Sequence, residues 1–134
     1  MPKLSYLKAL NRALGEEMER DPAVFVMGED MKLALTNVTA GFWDRFGPDR
    51  VLEMPLTEQG FTNFATGAAL AGRRPVVEFQ IPFLLLLVFE QITNQANKFA
   101  LMSGGQTSAG RSVAKDKRIK AKNTAPKGMK DRGD

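Results

Sequence analysis

Glu58 stands in the stretch Pro55-Leu56-Thr57-Glu58-Gln59-Gly60-Phe61. An apolar run suited to a strand, Val51 to Met54, precedes it, and a small-residue run suited to a helix, Phe61 to Gly72, follows. Open α/β sheets bind ligands beyond the carboxyl ends of their strands, so a carboxylate at this junction can hydrogen-bond a ligand or exchange a proton with it. The same residue also suits the positive N-terminal end of the following helix, and the residues alone leave both uses open. The chain has no His and no Cys. Acid–base chemistry therefore falls to carboxylates, Lys, Tyr, a cofactor or a partner chain, and disulfides and thiolate metal sites are excluded.

The elements that must position Glu58 can be read from the pattern around it. Ser5 is a suitable N-cap, and Leu7, Leu10, Leu14 and Met18 recur at helical spacing until Asp21-Pro22 stops the helix. Val24 to Met27 reads as a short buried strand closed by Gly28-Glu29-Asp30, and residues 31–37 show no pattern. A second helix is predicted over Thr39 to Phe46, ended by Gly47-Pro48. Val51 to Met54 is the second strand, Phe61 to Gly72 the third helix, Arg73-Arg74-Pro75 a turn and Val76 to Phe79 the third strand. A long helix is predicted from Phe83 to Met102, ended by Ser103-Gly104-Gly105. Helix and strand alternate, which predicts an α/β fold: a three-layer α/β/α arrangement around a parallel sheet. Tyr6 and Trp43, the single Tyr and Trp, fall on predicted helices and suit core or interface packing.

With 134 residues the chain is long enough for one domain with a modest core. Residues 1–106 hold 10 Lys/Arg against 12 Asp/Glu, a net −2, whereas residues 107–134 hold 9 against 3, a net +6. The latter segment has no aromatic residue and no apolar periodicity, and its composition predicts a basic, disordered tail. Without stacking aromatics it makes a poor nucleic-acid arm. The apolar run Ile81 to Phe89 is much shorter than the ~20 residues that span a bilayer and reads as a buried helix. No secretory signal is visible, and a cytoplasmic location is expected.

A collinear series of motifs runs through residues 1–106. It comprises Ala9-Leu10-Asn11 with Glu16-Glu17-Met18-Glu19-Arg20-Asp21-Pro22, Val24-Phe25-Val26-Met27-Gly28-Glu29-Asp30, Phe46-Gly47-Pro48-Asp49-Arg50-Val51, the Glu58 block, Gly67-Ala68-Ala69-Leu70-Ala71-Gly72, Arg74-Pro75-Val76-Val77-Glu78, Glu90-Gln91-Ile92, Asn94-Gln95-Ala96-Asn97-Lys98 and Met102-Ser103-Gly104-Gly105-Gln106. Each motif is weak by itself; their order over about four fifths of the chain is specific. The series resembles the N-terminal part of the beta subunit of the thiamine-diphosphate-dependent first component of 2-oxo acid dehydrogenase complexes, the group that includes the pyruvate, branched-chain and acetoin dehydrogenases.

The resemblance implies a partial, transketolase-like pyrimidine-binding domain over residues 1–106. It implies that Glu58 hydrogen-bonds the aminopyrimidine ring of thiamine diphosphate and promotes the tautomer that takes the thiazolium proton. It places Leu56, Gln80 and Leu84 beside the same cofactor. It further implies a heterotetramer with an alpha subunit that binds the diphosphate and magnesium, a lipoyl-bearing acyltransferase core as a further partner, and a 2-oxo acid as substrate. This chain itself would hold no metal, and neither a membrane nor nucleic acid is an expected partner.

Three features depart from the family pattern. The segment Met31 to Asn37 lacks the glycines usual there, which restricts its backbone. Phe83-Leu84 stands where an aromatic residue commonly packs on the pyrimidine. The match ends at Gln106, before a further strand, a histidine and a second domain, which suggests a truncated reading frame. Truncation would leave a sheet edge unpaired and would make Ile81 to Phe89 an aggregation hazard or a partner-binding surface. The alternatives are a catalytically inactive fragment that only pairs with a subunit, and a transketolase-like thiamine enzyme domain.

Overall fold

β1 (Val24–Gly28) is buried along its whole length and organises everything else. In the structure, a computed structural model that describes residues 4–106, it is the middle strand of a three-stranded parallel sheet of order β2-β1-β3. β2 (Val51–Glu53) pairs Val51 with Val26, and β3 (Arg74–Glu78) pairs Val76 with Val26. Successive side chains of a strand point to opposite faces, and β1 uses both. Val24 and Val26 join Met18, Met31, Phe42 and Val51 in one cluster. Phe25 and Met27 join Phe61 and Ala65 in the other. The sheet is thus the middle of three layers, as the alternation of helix and strand predicts.

The first cluster is roofed by α1 (Tyr6–Arg20) and α2 (Phe42–Phe46). Ser5 caps α1 as expected, its Oγ accepting from the Lys8 amide. Arg50 then ties the turn after α1 to the sheet. Its guanidinium donates to the carbonyls of Val24 at 2.6 Å, Met18 at 2.8 Å and Asp21 at 3.0 Å, placing a cation on the carbonyl-rich end of the helix. Tyr6 does not enter the core: it is 81% exposed. Trp43 packs against the first cluster with the Lys32 ammonium over its ring.

The second cluster is covered by α3 (Glu58–Leu70). This helix starts three residues before the predicted Phe61, because the Phe61 amide donates to the Thr57 carbonyl and closes a turn that contains Glu58. It ends at Leu70 rather than Gly72; Gly72 takes the left-handed φ of 90° that stops the chain continuing as helix. α2 is shorter than predicted for a similar reason, since left-handed Gly41 sets its start at Phe42. β3 reaches back through Arg74 and Pro75, which the sequence suggests as a turn. Pro is tolerated there because β3 is an edge strand.

The long helix predicted from Phe83 to Met102 is the largest correction. In its place the chain forms a 3-10 helix, Pro82–Leu86, a π-helix, Gln91–Ala96, and a single α-helical turn, α4 (Phe99–Met102). The Leu-rich run has no polar face, so no stripe directs a regular helix onto the sheet. Nor is it buried: Phe83, Leu86 and Phe89 are all more than 60% exposed, and Val88 is the one fully buried residue between Ile81 and Phe89. Among the described residues no helix is long and apolar enough to cross a membrane. The expectations for residues 107–134 lie outside the described residues.

Candidate functional site

The carboxyl ends of the three strands gather an unusual density of acid: Glu29 and Asp30 follow β1, Glu53 ends β2 and Glu78 ends β3. Glu53 and Glu78 are held by the segment that crosses above them. Glu53 accepts from the Lys32 amide at 3.0 Å. Glu78 accepts from the Thr39 hydroxyl at 3.1 Å and from the Thr36 hydroxyl. Gln80, just beyond β3, donates to the Glu29 carbonyl at 3.3 Å and to the Asp30 carboxylate at 3.2 Å. These bonds pin residues 30–39 in a conformation with positive φ at Asp30, Ala34 and Asn37. The segment without glycine thus takes left-handed backbone after all. Asp and Asn tolerate it; Ala34 does so at a cost of about 1–2 kcal/mol.

Gly28 lets the strands close at this edge. A Cβ there would lie 2.6 Å from the Glu78 carbonyl oxygen, so only a residue without a side chain fits between β1 and β3.

Glu58 opens α3 at the same edge. Thr57 precedes it as N-cap but makes no side-chain capping bond, so the first turn keeps free amides and a positive end that favours a carboxylate. Glu58 is half-buried and lines an open groove of about 530 Å³ together with Thr57, Gln59, Gly60 and Leu87. Gln59 spans the groove, its Nε2 donating to the Leu87 carbonyl at 3.0 Å. The Glu29 carboxyl is pushed above the ordinary carboxylate range, first by desolvation and then by the negative charges of Asp30, Glu58 and Glu53. Glu29 therefore holds a proton more readily than an isolated glutamate.

Of the residues predicted for the site, Glu58 alone lines this groove. Leu56 precedes α3 and is 67% exposed. Gln80 sits on the same edge of the sheet, engaged with Glu29 and Asp30. Leu84 lies half-buried in the 3-10 helix, its amide bonded to the Ile81 carbonyl. Two lining residues, Gln59 and Leu87, escape a reading of the sequence: Leu87 is one leucine among four, and Gln59 meets it only through the fold.

The groove offers one carboxylate, two polar side chains, and the apolar stem of Leu87, but no cation. That donor set fits a nitrogen heterocycle, whose ring nitrogen pairs with a carboxyl group and whose face rests on an apolar side chain. It does not fit a diphosphate. Among the described residues, no group of three or more His, Cys, Asp or Glu is arranged to hold a metal ion.

Residues 2–116 match the family model of the transketolase pyrimidine binding domain, past the boundary drawn at Gln106. The chain is 44% identical over 108 residues to pyruvate dehydrogenase E1 component subunit beta-2, mitochondrial, of Oryza sativa subsp. japonica, covering 79% of this chain and 29% of that protein. It is 45% identical over 106 residues to pyruvate dehydrogenase E1 component subunit beta of Rickettsia felis, covering 78% and 32%. With the mitochondrial beta subunit of Chaetomium thermophilum the identity is 46% over 100 residues, covering 73% and 26%. The chain thus spans between about a quarter and a third of the length of these relatives.

Proposed function

Because the chain belongs to the transketolase pyrimidine-binding domain family, we propose that it acts as beta-subunit sequence of a thiamine-diphosphate-dependent 2-oxo acid dehydrogenase first component. In this reading it carries the cofactor-activating carboxylate at the interface with an alpha subunit. The observation that supports it most is the placement of Glu58. It is half-buried in the first turn of α3, at the carboxyl edge of a parallel sheet, on a groove whose other members are neutral.

Thiamine diphosphate, when bound, supplies the electron sink that decarboxylation of a 2-oxo acid requires. The residues of this chain have the tasks of binding and proton placement. Glu58 would hydrogen-bond the ring nitrogen through its carboxyl oxygen and pass a proton across that bond. Leu87 would support the ring face, with Leu56 and Leu84 as the outlying apolar residues. Gln80 would act at one remove, fixing Glu29 and Asp30. The diphosphate and magnesium would belong to the alpha subunit, and a lipoyl-bearing acyltransferase would take the acyl group. Pyruvate, named in the relatives, is the 2-oxo acid to try first. Location follows the same logic: the relatives from rice and Chaetomium are named mitochondrial and the one from Rickettsia is not, and a cytoplasmic site is our reading for this chain.

Calorimetry with thiamine diphosphate and magnesium tests the proposal, on the chain alone and mixed with a pyruvate dehydrogenase alpha subunit. Binding in the mixture that exceeds binding to either subunit supports a shared site. A folded mixture without binding overturns it.

A further inference from the structure

The apolar segment over the groove is held by little. Between Ile81 and Phe89 only Val88 is fully buried, and Leu87 is half exposed. The 3-10 helix before it is short and closes on the Leu84 carbonyl, a weaker form of helical hydrogen bonding. Across from it, Gln59 projects from the first turn of α3 and donates to the Leu87 carbonyl at 3.0 Å, joining residues 28 apart in sequence. Glu58 is the adjacent residue, and both line the same groove.

We propose that Gln59 is a positioning residue: its amide tethers the Leu87 segment to the start of α3 and so sets the groove into which Glu58 opens. The inference rests on the reading that this groove receives the pyrimidine ring. A Leu87 carbonyl bonded by the Gln59 amide fixes the apolar wall relative to the carboxylate. Released, the 81–89 segment keeps Val88 as its anchor but loses its register with Glu58. Gln59 touches no reacting atom; it acts through the wall it holds.

The test compares Gln59→Leu, Gln59→Glu and Glu58→Gln with the unaltered chain, each paired with an alpha subunit. Two quantities are read: amide hydrogen exchange over residues 84–90, and affinity for thiamine diphosphate in the presence of magnesium. Gln59→Leu removes the donor at nearly the same size. Exchange should quicken and affinity should fall, each by about fivefold, the scale of one net hydrogen bond. Glu58→Gln should leave the exchange unchanged. Gln59→Glu should show the same deficit at pH 7.5, because an ionised carboxylate cannot donate, and recover towards pH 5 as it gains a proton. A loss of packing alone would not follow the proton. Unchanged exchange in Gln59→Leu overturns the tether. Quickened exchange with unchanged affinity overturns its positioning role. If the unaltered mixture binds no cofactor, the reading of the groove as a pyrimidine site falls, and the positioning role falls with it; exchange alone then still decides whether the tether exists.

Discussion

Glu58 and Glu29 sit at one edge of the sheet in different settings. Glu58 lies in the first turn of α3 and lines the groove. Glu29 is desolvated and faces three further carboxylates. Replacing Glu58 by Gln keeps size and hydrogen-bonding reach but removes the titrating proton. If Glu58 has the proposed role, this should lower turnover in a complex with an alpha subunit by at least about 10²-fold, the scale of general acid–base catalysis, with unchanged circular dichroism. The substitution should also lower the Glu29 pKa, because it deletes one of the charges that raise it; carboxyl-carbon NMR reads this directly. The sign for stability follows from linkage. A carboxyl whose folded pKa lies above its unfolded value binds more protons when folded, so stability falls as pH rises through that interval. Glu29→Gln should flatten that fall, seen as urea midpoints that change less from acid to neutral pH than those of the unaltered chain. A midpoint falling equally in both proteins would show that Glu29 does not govern it. The position of Glu58 between an apolar strand and a small-residue helix was legible in the sequence; its role was implied only by the family resemblance. The raised pKa of Glu29 was not legible, since it depends first on desolvation, and beyond the adjacent Asp30 on Glu58 and Glu53, which only the fold brings close.

At the scale of elements, the sheet was the most legible part. Three short apolar runs, each bounded by Gly, Pro or charged residues, gave its strands to within two residues at either end, and the buried pattern of β1 followed from its lack of polar positions. The helix predicted from Phe83 to Met102 failed because a run apolar on every side carries no direction: periodicity cannot say which face turns inwards, nor whether any does. What holds the strands in place was legible only as motif residues without a role. Arg50 is the clearest case, donating to three carbonyls of the α1–β1 turn. Arg50→Ala should cost about 2–4 kcal/mol in urea unfolding, since it strips charge-assisted bonds from partly buried carbonyls; Arg50→Lys should recover only part, lacking the fork. Gly28→Ala, with its Cβ driven against the Glu78 carbonyl, should cost about 1–3 kcal/mol by overpacking. Ala34→Gly should run the other way, gaining up to about 1 kcal/mol by relieving a left-handed Ala at the expense of unfolded-state entropy. A loss on Ala34→Gly would mean the bonds around Glu78 already hold that loop without strain.

Taken whole, the molecule covers its sheet unevenly. One face of β1 lies under α1 and α2 and the other under α3, but Val76 on the outer strand remains exposed, as do the apolar side chains of the 81–89 segment and Leu101 and Met102 of α4. Folded monomers seldom leave large apolar side chains crowded on one segment, and such segments mark surfaces that meet another chain. The described residues therefore combine a folded core with an apolar segment exposed on the exterior. Phe83 and Leu86 offer a test, because both are mostly exposed and their removal should leave the core intact. Replacing both by Ser should leave the urea-unfolding free energy of the isolated chain within about 0.5 kcal/mol, as surface changes usually do. The same pair of substitutions should reduce its concentration-dependent sedimentation and weaken its pairing with an alpha subunit. If the double variant associates as strongly as the unaltered chain, the apolar segment is not the surface through which this molecule meets others. If instead it unfolds, Phe83 and Leu86 contribute to the core despite their exposure, and the 3-10 helix is an integral part of the domain.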